Sequence, residues 1–210
     1  MSMHTILEIP TLPSTVVLDP PLTDEEFEAL CAANDFARLE RTKEGKIVVN
    51  APAGCDTSRG NSDINFQLTA WWRTHRRGAV FDSSAGFFLP DGSVLNPDAA
   101  YATAEQMRGL TTEMRRRFLR FTPAFVLELL SSSDSLADAK KKMEAWMENG
   151  AQLAWLVDPE NRNVVIYELG KSARVVTTQS VTGTGPVEGF VLDLRPVWNP
   201  EVNARPQTRM

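Results

Sequence analysis

Glu128 stands where a carboxylate is costly unless a cation or hydrogen bonds compensate for its burial. It lies inside the apolar stretch 125–130, which has the length of a strand. Alternation along a strand places Glu128 on the same face as Val126 and Leu130, among side chains that we expect to be buried. Taken alone, Glu128 is explained equally well as an acid at the rim of the sheet, on an edge strand.

Asp98 favours a different interpretation, because it opens a second predicted strand directly after Pro97. Acids on adjacent strands could place their oxygens around one ion. Hard oxygen ligands suit Mg²⁺ or Mn²⁺, which keep bound waters and accept phosphate oxygens. Such an ion polarises a phosphodiester and helps to generate hydroxide, and a nearby lysine stabilises the developing charge. Asp98 and Glu128 are therefore candidate ligands of a divalent metal, in the kind of site that can act on a phosphodiester.

The composition is that of a globular protein and excludes several classes of site. The 210 residues are 42% hydrophobic, enough for the core of one domain. A net charge of −5 argues against non-specific coating of DNA but permits a local basic patch. Two histidines nearly exclude a histidine-rich zinc site, and the two cysteines, Cys31 and Cys55, are expected to be buried free thiols. The sequence shows neither a signal-peptide pattern nor a membrane-spanning apolar stretch, so we expect a soluble, cytoplasmic protein without membrane partners.

Capping signals and periodicity predict the elements that position the two acids. An extended arm is predicted over 1–22, followed by helices over about 24–34, 62–75, 103–118 and 135–150. Strands are predicted as a hairpin around 40 and 47–49, then at 79–83, 86–89, 98–102, 125–130, 152–157 and 163–168, with a final pair at 173–179 and 189–194. This order predicts one mixed α/β domain over residues 23–198 and a C-terminal tail over 199–210.

A series of short motifs, in a fixed order along the chain, resembles a known family. The motifs are Leu39-Glu40, Glu44-Gly45-Lys46, Arg59-Gly60-Asn61, GFFLPDG at 86–92, Asn96-Pro97-Asp98, FVLE at 125–128, SSSDS at 131–135, Lys142-Met143, Asn149-Gly150-Ala151, WLVDP at 155–159, Ile166-Tyr167 and Gly189-Phe190. Each motif alone is weak, but the ordered set covers about residues 16–198. The chain resembles the PD-(D/E)xK nuclease superfamily and, within it, the bacterial putative restriction endonuclease family, formerly a domain of unknown function.

The resemblance implies a restriction-endonuclease-like core, in which a central mixed β-sheet is flanked by helices. It also implies that Asp98 and Glu128 bind Mg²⁺ or Mn²⁺, that Glu40 completes the acidic cluster, and that Asn61 lines the site. From the residues alone, Glu40 is equally a solvated residue of the hairpin. Asn61 is equally the N-cap of the helix that follows it.

The lysine of the superfamily motif is displaced in this chain. An E-x-K pattern needs lysine at position 130, where the chain has Leu130. In the resembling family the lysine lies on the following helix, at the position of Lys142. Helical periodicity places Lys140 and Lys142 on the two flanks of an apolar stripe centred on Met143 and does not choose between them. All of the lysines at 140–142 could also be solvated, with their stems covering apolar surface.

Three functions follow from these patterns. The first is a metal-dependent endonuclease-like hydrolase of DNA phosphodiester bonds, in which Lys142 assists Asp98 and Glu128, acting as a homodimer. The second is a nuclease fold that no longer cuts and serves as a binding or assembly module, which the acidic charge and Leu130 favour. The third is a phosphoesterase for a small substrate, which the low basic content would explain.

Two further groups could contact nucleic acid. The basic cluster Arg115, Arg116, Arg117 and Arg120 could touch phosphates, or it could be a solvated helix face. Trp71 and Trp72 could stack bases, but their helical spacing favours packing in the core.

Overall fold

A computed structural model describes residues 14–35, 37–132 and 134–200. The helices are α1 (Asp24–Ala33), α2 (Cys55–His75), α3 (Ala104–Met107), α4 (Leu136–Glu148) and α5 (Arg195–Trp198). The strands are β1 (Ser14–Val16), β2 (Arg38–Arg41), β3 (Ile47–Asn50), β4 (Ala79–Asp82), β5 (Phe87–Phe88), β6 (Val94–Leu95), β7 (Ala99–Ala102), β8 (Phe125–Leu129), β9 (Leu153–Asp158), β10 (Asn163–Glu168), β11 (Arg174–Val176), β12 (Ser180–Thr182) and β13 (Val191–Asp193). Most of the predicted arm, 1–13, and most of the predicted tail, 201–210, lie outside the described residues. Among the described helices, none combines the length and apolar character needed to cross a membrane.

The chain divides into two compact units by its internal contacts. We call the described parts of 1–52, 84–96 and 110–122 the five-stranded unit, and those of 53–83, 97–109 and 123–210 the six-stranded unit, after their main sheets. Asp98, Glu128 and the lysines at 140–142 belong to the six-stranded unit, whereas Glu40 belongs to the five-stranded unit.

The five-stranded unit is built on an antiparallel sheet in the order β1-β3-β2-β6-β5. The predicted hairpin is confirmed, since β2 and β3 pair across a turn in which Gly45 has a φ of +80°. The first helix is also confirmed: Thr23 and Glu26 cap α1 reciprocally, and Phe27 is fully buried in the core of this unit. This sheet carries Glu40 on β2.

The six-stranded unit contains a mixed sheet in the order β11-β10-β9-β8-β7-β4. Strands β8 and β9 are parallel and joined through α4, while the other neighbours are antiparallel. Leu127 and Leu129 lie in one buried cluster with Ile64 of α2, whereas Glu128 contacts α4. The two helices therefore cover opposite faces of β8, as expected for side chains that alternate along a strand. The predicted mixed sheet with flanking helices is confirmed.

The N-terminal extent of α2 and the length of α3 differ from the predictions. Helix α2 begins at Cys55 rather than near Ser62, because Gly54 caps it and its first turns are polar, without the apolar period that was used to find it. The helix predicted over 103–118 is wrong beyond Met107. Its capping box at Thr103 is present, but the chain leaves the helix at Arg108, whose backbone is extended, and turns at Gly109, which has a left-handed φ of +86°. Only a short 3₁₀ turn follows at Met114–Arg116.

The predicted C-terminal strand pair and the burial of both thiols are also wrong. Strand β11 pairs with β10, and β12 with β13, because a tight connection after Gly170 returns the chain to β10. Cys55 is exposed at the start of α2. Cys31 is half-buried on α1, where burial and the nearby Glu28 raise the pKa of its thiol to about 12.

Candidate active site

The pairing of β7 with β8 places Asp98 and Glu128 at the same end of two neighbouring strands. Ala99 of β7 lies opposite Leu127 of β8, which is the last pair in their register. Asp98 precedes Ala99 and Glu128 follows Leu127, so the two acids occupy neighbouring positions one step beyond that pair. Asp98 is 7% exposed and Glu128 is 8% exposed. Two buried acids therefore occupy neighbouring positions on adjacent strands, as sequence analysis expected of Asp98 and Glu128.

Asp98 is held by donors from β8 and α2. Its Oδ2 accepts a hydrogen bond from the backbone N–H of Leu129 at 2.8 Å, and its Oδ1 accepts one from Nδ2 of Asn61 at 3.1 Å. Asn65, one helical turn after Asn61, donates from Nδ2 to the backbone oxygen of Asp98 at 2.9 Å. The carboxylate of Asp98 is thus fixed next to the residue that follows Glu128.

Glu128 is held from the other face of the sheet by α4. Nζ of Lys142 lies 3.0 Å from Oε1 and 3.1 Å from Oε2, and Nε1 of Trp146 donates to Oε1 at 2.9 Å. Lys142 and Trp146 are four residues apart, so both project from the same face of the helix. A buried carboxylate is costly without a cation or hydrogen bonds, and α4 supplies both.

The structure distinguishes between the two lysines that periodicity left equal. Lys142 reaches Glu128, whereas Lys140 is exposed. Lys141 forms an exposed pair with Asp138 at 2.8 Å. The interpretation that all of these lysines are merely solvated is wrong for Lys142. Position 130 has no lysine, but α4, the helix that follows β8, places the ammonium group of Lys142 next to Glu128.

Glu40 is buried in the five-stranded unit rather than solvated on a hairpin. It is 7% exposed. Its Oε1 accepts a hydrogen bond from the backbone N–H of Asn96 at 2.9 Å, and its Oε2 accepts one from Nδ2 of Asn50 at 3.3 Å. The hairpin prediction correctly placed Glu40 on a strand but missed its burial. Its part in an acidic cluster stays a prediction from the resemblance.

Asn61 lies within α2 and is not the N-cap of the helix, so that alternative is wrong. Its Nδ2 binds Asp98, and its Oδ1 is buried without a hydrogen-bond partner among the described residues. An unsatisfied buried oxygen is costly unless a ligand or water completes it. No group of three Asp, Glu, His or Cys side chains in the described ranges could hold a metal ion. The oxygens available here are two carboxylates and one amide, which suits an ion such as Mg²⁺ that retains several waters.

Trp71 belongs to the core, as its helical spacing predicted. It packs against Tyr101 and Phe190, with ring centroids 5.3 and 5.8 Å away. In the basic cluster, Arg117 pairs with Glu28 and Arg120 pairs with Asp24. Acids of α1 therefore neutralise half of the four arginines, which weakens their interpretation as a phosphate-binding surface.

A family model described as Uma2, putative restriction endonuclease, matches residues 24–195. The chain belongs to this family. Membership confirms the resemblance inferred from the motifs and supports a nuclease-like function. A comparison with curated proteins found no match.

The fold of this family member is also found in a solved structure. The crystal structure of a putative nuclease belonging to DUF820 from Anabaena variabilis superposes with a TM-score of 0.65 and 17% sequence identity, covering 77% of this chain and 89% of that one. At this identity the match shows the fold, which confirms the predicted nuclease-like architecture.

Proposed function

We propose that this chain is a Mg²⁺- or Mn²⁺-dependent endonuclease that hydrolyses phosphodiester bonds in DNA. The contact of Lys142 with Glu128 carries the proposal. The superfamily motif needs an acid and a lysine together, and the chain has no lysine at position 130. An ammonium group 3.0 Å from a buried carboxylate, beside the strand that Asp98 opens, supplies that combination through the tertiary structure.

Asp98 and Glu128 would hold the ion, with Oδ1 of Asn61 as a further oxygen donor. When bound, the ion supplies Lewis-acid polarisation of the phosphate and a more acidic water. The backbone N–H of Leu129 and Nδ2 of Asn61 keep the Asp98 carboxylate in place. Trp146 orients Glu128, and Nζ of Lys142 donates hydrogen bonds and positive charge where negative charge develops on the phosphate.

The direct test is cleavage of plasmid DNA by the purified chain with Mg²⁺, with Mn²⁺ and with EDTA. We expect wild type to cleave the plasmid only with metal present. Asp98→Asn should lower the cleavage rate by about a hundredfold or more, which is typical when one charge-stabilising group is removed from an active site. The amide oxygen can still accept from the backbone N–H of Leu129, so the fold is expected to persist. Asp56→Asn, an exposed acid in the first turn of α2, is the matched control. Equal cleavage by wild type and Asp98→Asn would contradict the proposal.

A binding module that no longer cuts is the second candidate. The net charge of −5 and the absence of a three-acid group in the described part of the chain favour it. Calorimetric titration with Mn²⁺ separates the two functions: binding that Glu128→Gln removes supports the nuclease, and no binding by wild type supports the module.

A small-substrate phosphoesterase is the third candidate. The same preparations tested on duplex DNA, single strands and nucleotides would identify it by activity on nucleotides alone.

A further inference from the structure

A groove of about 540 Å³ lies within the six-stranded unit, between the outer side of α2 and strand β4. Its lining includes Asn65, Phe66, Thr69 and Arg73 of α2 and Phe81 and Asp82 of β4. Strand β4 is an edge strand of the six-stranded sheet. The groove is therefore open along a sheet edge and is distinct from the buried carboxylates.

Phe66 gives the groove an exposed aromatic face. It is 71% exposed, whereas Phe125 and Phe190 of the same unit are buried. A phenylalanine ring in solvent contributes nothing to the core. Exposed aromatic faces of this kind stack the bases of unpaired nucleotides, largely without regard to sequence.

Asn65 links the groove to the candidate active site by a hydrogen bond. This residue lines the groove, and its Nδ2 donates to the backbone oxygen of Asp98 at 2.9 Å. From Asn65 to Arg73 the helix rises about 12 Å, at about 1.5 Å per residue. That distance corresponds to three or four nucleotides of a stacked strand, at about 3.4 Å per nucleotide.

Positive charge gathers at the end of the groove that is farther from Asp98. Arg73 lies in the last turn of α2, and Arg76 and Arg77 follow it, all exposed. The acid of the lining, Asp82, pairs in register with Ala99, next to Asp98. Three exposed arginines at one end of the groove therefore face solvent, and none of them forms a salt bridge with an acid among the described residues. An anionic strand suits this surface.

We propose that the α2–β4 groove binds a DNA strand whose bases are unpaired, with a base stacked on Phe66 and a phosphate held by Arg73. The proposal rests on the proposed nuclease function and specifies its substrate class: single-stranded or flapped DNA rather than continuous duplex. A duplex keeps its bases stacked inside, where Phe66 cannot reach them. Asn65 lines the groove and donates to the backbone oxygen of Asp98, so it links the bound strand to this acid.

Fluorescence anisotropy with a labelled oligothymidylate, in EDTA, tests the groove without cleavage. We expect Phe66→Ala to bind about tenfold more weakly, within the range for loss of one base–aromatic stack, and Phe66→Tyr to restore binding. Arg73→Ala should lower the slope of log K against log salt by about 0.7, the contribution of one phosphate on a single strand. Arg174→Ala, on the opposite edge strand β11, is the matched control and should change neither quantity.

The outcomes separate this proposal from the nuclease proposal. Asp98→Asn should keep full oligothymidylate binding while losing cleavage. Unchanged binding by Phe66→Ala, or no binding by wild type, would overturn the groove proposal and leave metal-dependent cleavage intact. Sedimentation of wild type and Phe66→Ala tests whether a second copy of this chain occupies the groove instead. If Phe66→Ala dissociates a dimer and leaves DNA affinity unchanged, the groove proposal is also overturned.

Discussion

Each unit buries a glutamate on a strand, and the two glutamates have different kinds of donor. Glu40, in the five-stranded unit, accepts from the backbone N–H of Asn96 and the amide of Asn50. Glu128, in the six-stranded unit, accepts from the ammonium of Lys142 and the indole N–H of Trp146. The two side chains are almost equally buried, at 7% and 8% exposure. Burial alone therefore does not distinguish them.

The difference shows what a cationic donor adds. A backbone N–H is fixed by the strand and can only hold a carboxylate in place. Lysine is a compact charge on a flexible stem, so Lys142 adds a positive charge beside Glu128 that no donor of Glu40 supplies. Under the proposed function, this charge is what makes Glu128 the better candidate for chemistry.

The largest expected difference is in activity. Under the proposed function, Glu128→Gln should reduce metal-dependent DNA cleavage by more than about a hundredfold, because loss of the proposed ligand should exceed the 10- to 100-fold effect typical of residues behind metal ligands. Glu40→Gln should change cleavage by less than about tenfold, below that range, since its amide oxygen can still accept from the N–H of Asn96. Initial cleavage rates at saturating Mn²⁺ measure both variants. A loss at Glu40→Gln as large as that at Glu128→Gln would remove the distinction between the two glutamates.

A smaller effect is expected on stability when the cation is removed. Lys142→Met leaves Glu128 without its ammonium partner and should lower the free energy of unfolding by about 2 kcal/mol, less than a fully buried pair because Lys142 is partly exposed. Lys141→Met is the matched control, since solvent screens its exposed pair with Asp138 and its loss should barely change stability. Urea unfolding of both variants measures the difference. Equal losses would indicate that Glu128 is held by its other contacts.

The smallest expected effect concerns a carboxylate of the five-stranded unit that does have cationic donors. Burial by itself would raise the pKa of Asp24, but hydrogen bonds from Arg41 and Arg120 outweigh it and lower that pKa below its ordinary value. Because the folded pKa is lowered, the stabilisation is present above the unfolded pKa and is lost as the pH falls below about 4.

Asp24→Asn should therefore lower the free energy of unfolding by about 1 kcal/mol at neutral pH, since the pair is partly solvent-screened. Urea unfolding at neutral pH and near pH 3 measures how this difference changes. A difference that persists undiminished at low pH would show that the cations do not act through the charge of Asp24.

Local patterns predicted most elements around the site. The apolar run of β8, the Pro97-Asp98 start of β7 and the cap at Ser135 each specify their element within a few residues, because strand alternation and helix capping act over short distances. The misses have different physical causes. The partners of β11 and β12 depend on contacts between distant segments, whereas the start of α2 and the end of α3 lie where the apolar period does not mark the helix boundary.

The sequence by itself determined that Asp98 and Glu128 are acids among apolar neighbours, and the order of its motifs identified the family. Only the tertiary structure decided which lysine joins them. Helical periodicity makes Lys140 and Lys142 equivalent about the Met143 stripe, and the rotation of α4 against β8 removes that equivalence. The tertiary structure also decided the surroundings of Asn61. Because α2 packs against the start of β7, Nδ2 of Asn61 binds Asp98 and its Oδ1 is buried without a hydrogen-bond partner among the described residues.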